Sequence, residues 1–136
     1  MNPPRSSPFT ILVIGDDRLV LSTASDLLTA EGHRVLTASS GEEGLGMART
    51  IRTDLVLVAY SVPVRNGLEV VQRLKADTET RRIPVVALTS GTAEDANELS
   101  RAGCVAFIPK PFEPRNFVRL VADILKETIG RRDARD

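Results

Sequence analysis

Apolar runs alternate with amphipathic stretches along most of this chain. "FTILVI" (9–14) is apolar but for one Thr, the pattern of a strand covered on both faces. The next stretch places Val20, Ala24, Leu27 and Leu28 at i, i+4, i+7 and i+8, one face of a helix. Gly32 follows as its C-terminal stop. "HRVLTA" (33–38) predicts a second, shorter strand. In "SSGEEGLGMARTI" (39–51), Ser40 stands three residues before Glu43, a capping-box spacing. Leu45, Ala48 and Ile51 then form a helical stripe that Gly44 and Gly46 weaken.

The alternation continues. "DLVLVAY" (54–60) is the third and most apolar strand, and "GLEVVQRLKA" (67–76) is a helix turning Val70, Val71 and Leu74 inward. "IPVVALT" (83–89) is the fourth strand, with Pro84 near its start, where a missing N–H is tolerated. "TAEDANELSRAG" (92–103) is a helix with a thin apolar face of Ala93, Ala96 and Leu99. "CVAFI" (104–108) is the fifth strand. The last helix, "EPRNFVRLVADILKETI" (113–129), carries Phe117, Val121, Ile124 and Leu125 on one face. Residues 1–8 read as a loose Pro- and Ser-rich lead-in, 9–128 as one domain, and 129–136 as a fraying polar tail. The order is (βα)5, an α/β protein whose parallel sheet has helices on both faces.

Composition narrows the function classes. The 136 residues fit one domain, and Lys plus Arg (18) equal Asp plus Glu (18), so no overall field attracts nucleic acid or an anionic membrane. No apolar run approaches ~18 residues, so no spanning helix is expected. The N-terminus lacks the apolar core of a signal peptide, and the expected compartment is the cytoplasm. Cys104 is the single cysteine and His33 the single histidine. That excludes an internal disulfide and argues against His-rich metal sites. Cys104 reads as a small buried hydrophobe, and His33 as structural or idle on an exposed edge.

In a sheet of this kind, ligands bind at the carboxyl ends of the strands. There the sequence gathers Gly15, Asp16 and Asp17 after the first strand, Ala59 after the third, Thr89 and Ser90 after the fourth, and Lys110 between two prolines after the fifth. Acid, hydroxyl and ammonium on one rim suit Mg²⁺ and a phosphoryl group. Asp16 and Asp17 read equally well as caps on the first helix.

"ILVIGDD", "DLVLVAYSVPVRNGLEV", "IPVVALTS" and "FIPKPF" occur in this order and at this spacing. With them the chain resembles a receiver domain of two-component response regulators over about residues 9–126. The resemblance implies a flavodoxin-like, doubly wound five-stranded sheet of order 2-1-3-4-5, and a signalling module rather than an enzyme. It also implies a phosphate-accepting Asp at the end of the third strand, metal acids after the first, and a switch built from a hydroxyl, an aromatic and a Lys. By position the metal acid is Asp16, the hydroxyl Thr89, the aromatic Phe107 and the Lys Lys110. The acceptor position holds Ala59, and the other strand-1 acid falls on Gly15.

The rim therefore reads as a vestigial phosphorylation pocket of Asp16, Asp17, Ala59, Thr89 and Lys110. Alanine cannot form an acyl phosphate. Mg²⁺, which usually needs one or two carboxylates plus phosphate oxygens, is expected to bind weakly at Asp16 or not at all, and no other cofactor is expected. Lys110 is expected to pair with Asp16 or Asp17 or to turn into solvent, ionised on a wet rim, and the Lys110–Pro111 bond is implied to be cis. Tyr60 should leave on the opposite face of the strand, and Ser61 offers a hydroxyl that does not replace an aspartate. Two origins of Ala59 stay open: natural divergence, favoured by Gly15, and engineered replacement of a parent Asp, favoured by the intact Thr89, Phe107 and Lys110.

Signalling would then run through protein contacts. The partner surface is expected at Glu94, Asp95, Glu98, Arg101 and Phe107, facing a histidine kinase or downstream signalling protein, with a homodimer possible through the fourth and fifth helices. No nucleic acid is expected to bind this chain alone, which could be the excised N-terminal part of a longer regulator. A flavin- or nucleotide-binding enzyme of similar fold is the alternative class. It needs a phosphate-cradling loop after the first strand, where "GDDRLVLS" puts two acids.

Overall fold

Five parallel strands order as β2-β1-β3-β4-β5: β1 Thr10–Ile14, β2 Arg34–Ala38, β3 Leu55–Val58, β4 Val85–Thr89 and β5 Ala106–Pro109. The helices are α1 Arg18–Ala30, α2 Gly41–Thr50, α3 Val64–Ala76, α4 Ala93–Ala102 and α5 Pro114–Arg135. The computed structural model describes residues 9–59, 64–89, 93–110 and 112–135, and of these the backbone alone at 64–66 and 129–135. The (βα)5 reading and the predicted strand order both hold.

The sheet divides the core in two because strand side chains alternate between faces. Ile11 and Val13 of β1, Leu55 and Leu57 of β3, and Val86 and Leu88 of β4 pack with Leu21, Ala24 and Leu28 of α1 and with Phe117, Val121 and Leu125 of α5. Leu12 and Ile14, Val56 and Val58, and Val85 and Ala87 point the other way, onto Leu45 and Ala48 of α2, Val70, Val71 and Leu74 of α3, and Leu99 of α4. The continuous apolar runs of β1 and β3 follow from having both faces covered.

The helix signals act as chemistry requires. Gly32 takes φ +93° just past α1, where a side chain would be strained. Ser40 Oγ accepts the Glu43 N–H at 3.1 Å. The reciprocal bond is displaced by one residue, for Glu43 Oε1 accepts from the Ser39 N–H at 2.8 Å. Three helix readings need correction. Leu21, outside the predicted α1 stripe, is buried, while Val20 and Leu27 are only half-buried. Ile51 caps the end of α2 and is 37% exposed; Gly44 fills the inner position instead, packed so closely on Ile14 that no side chain fits between. The helical backbone of α5 continues through Arg135, where the sequence predicts a fraying tail.

His33 is buried, not on an exposed edge. Its Nδ1 accepts the Phe9 N–H at 3.4 Å, and the two rings lie 5.9 Å apart. That bond requires a neutral imidazole with its proton on Nε2, and burial holds its pKa below the ordinary value, against the pull of Glu31. Cys104 is buried as expected, and burial pushes its thiol up to about 11.

Candidate functional site

The carboxyl ends of β2, β1 and β3 are laced together one residue past the strands. The Gly15 N–H donates to Ala38 O at 3.0 Å, and the Ala59 N–H donates to Ile14 O at 2.7 Å. Ile14 pairs in register with Val58, so Gly15 stands beside Ala59. Both are buried. The approach is close: a Cβ built on Gly15 would lie 2.7 Å from Ala59 O and 3.3 Å from Ala59 Cβ.

Asp16 and Asp17 leave this crossing toward α1. Asp17 is the N-cap, its Oδ1 accepting the Leu19 N–H at 2.9 Å and the Val20 N–H at 3.3 Å. The capping reading is therefore right for Asp17, whose carboxylate satisfies two of the helix's otherwise unpaired donors. Asp16 is exposed.

Thr89 closes β4, and the Lys110 N–H donates to Thr89 O at 3.0 Å, carrying the β4–β5 ladder one residue further. This bond sets the stem of Lys110 beside Thr89. The Lys110 ammonium neither reaches solvent nor makes a hydrogen bond to Asp16 or Asp17: its Nζ is buried with no hydrogen-bond partner among the described residues. Loss of hydration lowers its pKa, and Asp16 and then Asp17 pull it back up. The expectation of a wet rim thus fails at this atom. The residue as a whole is half-exposed while its ammonium end is covered, the reverse of the usual arrangement in which the stem is buried and the charge stays in water.

A divalent cation finds a poor donor set here. Position 59 offers a methyl, position 15 no side chain, and one Asp17 oxygen is committed to the helix cap. Asp16 remains, facing an ammonium. Among the described residues no group of three or more His, Cys, Asp or Glu side chains could hold a metal. The residues present do not fit Mg²⁺.

On α4, Glu94, Glu98 and Arg101 are exposed, Asp95 is half-buried, and Leu99 is the one buried residue among those described. Phe107 of β5 is half-buried against the core beneath α3 and α4. Tyr60, Ser61, Ser90 and the Lys110–Pro111 bond lie outside the described residues. Sequence reasoning missed Leu19, which is 74% exposed on the first turn of α1 beside the two acids. Its place one residue before the apolar stripe was the available signal.

The sequence pattern of the response regulator receiver domain matches residues 11–122. The chain belongs to this family. This receiver is 34% identical over 119 residues to the polar-differentiation response regulator DivK of Brucella anthropi, covering 87% of this chain and 97% of that protein. It is similar in fold to a CheY-like receiver domain protein from Methanospirillum hungatei, with a TM-score of 0.82 at 25% identity over 92% of this chain and 99% of the other. It is also similar to the receiver domain of the sensor histidine kinase PA1611 from Pseudomonas aeruginosa, with a TM-score of 0.76 at 26% identity over 91% and 99% of the two chains. That structure holds a magnesium ion in its active site cleft. Receiver domains are signalling modules of two-component systems, and no described helix of this one is long and apolar enough to cross a membrane.

Proposed function

We propose that this receiver signals by protein contact without aspartyl phosphorylation at position 59. The observation that carries the reading is the buried Ala59 methyl at the end of β3, set against the bare Cα of Gly15. A phosphate acceptor needs a carboxylate oxygen there as nucleophile, and neither residue has one. Gly15, a second departure from the acids that the family resemblance implies, favours natural divergence over a single engineered replacement, which would need to change position 59 alone. Thr89, Phe107 and Lys110 are the switch residues carried over by the family resemblance. With Lys110 deprived of an acceptor anion, their arrangement is set by packing and by partners.

The partner face is α4, β5 and α5. α4 buries one described side chain, and elements with few apolar contacts shift at low free-energy cost. Its outer side presents Glu94, Glu98 and Arg101 to a histidine kinase, a downstream signalling protein or a second copy. Asp17 weighs against the flavin or nucleotide alternative, since its carboxylate already occupies the α1 N-terminus where a phosphate would bind.

Incubation with acetyl phosphate and Mg²⁺, followed by intact-mass measurement, tests the reading. The expected result is no added phosphoryl group. A stable gain of one phosphoryl group per chain would overturn the proposal. Ala59→Asp run in parallel separates the two origins: ready phosphorylation of that variant would mean that Gly15 costs the pocket little and would favour the engineered origin.

A further inference from the structure

At the opposite end of the sheet, where the strands begin, the loops entering β3 and β4 wall a groove of about 310 Å³. Arg49, Arg52 and Arg82 line it with Glu79 as the one acid, and Ile51 and Ile83 give it an apolar floor. Arg49 is held by Asp77, Nε to Oδ2 at 3.1 Å. Arg52 and Arg82 are exposed and have no hydrogen bond or ion pair among the described residues. In a chain of zero net charge, this is a local excess of guanidinium groups.

Both walls are built rather than loose. On the β4 side, Asp77 Oδ1 accepts the Glu79 N–H at 2.8 Å, and Thr80, fully buried, donates its hydroxyl to Leu74 O at 2.6 Å. The Lys75 ammonium, lying across this loop, donates to Arg81 O at 3.0 Å and Ile83 O at 2.8 Å. On the β3 side, the Thr53 hydroxyl donates to Ile51 O at 2.9 Å, and Asp54 Oδ2 accepts the Thr10 N–H at 2.8 Å. These six bonds tie both loops down from within. They fix the backbone from which Arg52 and Arg82 project, and a pre-ordered backbone lowers the cost of binding.

We propose that this groove docks an acidic segment of a protein partner, with carboxylates on Arg52 and Arg82 and an apolar side chain between them on Ile51 and Ile83. Guanidinium forks match carboxylates bidentately. The apolar floor and the short reach of the groove favour a peptide over nucleic acid, whose backbone demands a longer basic track and offers no aliphatic group. The groove lies across the sheet from Thr89 and Lys110, so an occupant leaves the α4 face free. The receiver would then join two proteins at once.

The probe is a fluorescein-labelled hexapeptide with a Leu-Leu pair flanked on each side by two glutamates, titrated with the full chain and followed by anisotropy. The expected result is saturable binding that weakens as salt rises. It should weaken at least tenfold in Arg52→Glu/Arg82→Glu and less than twofold in Glu98→Lys, with unchanged circular dichroism in both. Replacing the two leucines by serines should weaken it severalfold. The proposal is overturned by absent binding at low salt, by equal affinity in the charge-reversed variant, or by a labelled single-stranded oligonucleotide of equal charge binding more tightly than the peptide.

Discussion

Gly15→Ala adds one methyl to the most tightly fitted point of the site, and the structure sets what that should cost. The new Cβ would sit 2.7 Å from Ala59 O and 3.3 Å from both Ala59 C and Ala59 Cβ, where ordinary contact begins at 3.4 Å. Something must yield by roughly 0.7 Å at the oxygen. The obstacle is backbone, not a side chain that can rotate. It is held on one side by the Ala59 N–H bond to Ile14 O, and Gly15 is held on the other by its bond to Ala38 O. Overpacking of this kind costs about 1–3 kcal/mol. Gly15 is not in the left-handed region, so alanine also gains about 0.4–1 kcal/mol by restricting the unfolded chain. The net expectation is destabilisation by about 1–2 kcal/mol. Urea denaturation followed by far-ultraviolet circular dichroism reads it as a lower midpoint at unchanged slope. Gly15→Asp should lose a similar amount, because the clash lies at Cβ and not at the carboxylate. A Gly15→Ala variant as stable as the parent, or more so, would refute the reasoning and show that the β1–β3 crossing can open without penalty.

Two glycines of α2 should respond in opposite directions. Gly44→Ala drives a methyl into the fully buried Ile14 and should destabilise by about 1 kcal/mol after allowing for helix propensity. Gly46→Ala meets nothing within 4 Å and should stabilise by about 0.5–1 kcal/mol. Urea melts of both variants check the pair, and equal signs would contradict the packing. His33 has a folded pKa below its unfolded value of about 6.5. Its contribution to stability should therefore be complete above that pH and decline as pH falls from about 6.5 toward the folded pKa. His33→Gln keeps an acceptor for the Phe9 N–H but cannot titrate, so its stability profile from pH 7.5 to 5 should be flatter than the parent's, and parallel profiles would contradict this assignment.

Much of this was legible in the sequence because the governing signals are local. Strand and helix periodicity, Gly32 at a helix stop and Ser40 at a helix start each act within a few residues of themselves. The rim residues were legible too, because a parallel sheet with right-handed crossovers brings every strand's carboxyl end to one side. What escaped depends on contacts between distant segments. The sequence lists Gly44 as a weak helix former, and only the position of Ile14, thirty residues earlier, makes it a packing residue. His33 reads as an edge residue until Phe9 folds over it. The Lys110 ammonium reads as solvated, and only the folded structure shows its Nζ buried. The arginines at the other end of the sheet fall on two loops about thirty residues apart, and no pattern in either loop announces the other.

The two ends of this sheet carry opposite kinds of order. At the carboxyl end, a cation without a hydrogen-bond partner among the described residues is buried near two acids, one of them already committed to a helix cap. Burial lowers the pKa of an ammonium so placed, and Asp16 and then Asp17, which it does not touch, pull it back up. Any partner that brought a carboxylate within reach of Lys110 would supply the missing anion without covalent chemistry. The resulting gain would depend on the ammonium being protonated, and so would vanish at alkaline pH. At the amino end, the charges are exposed but their backbone is fixed by six side-chain bonds. Binding there needs little rearrangement and should depend mainly on salt. If both proposed contacts hold, a receiver without its acceptor aspartate would have two physically different ways to respond to acidic partners, and pH and ionic strength would distinguish them.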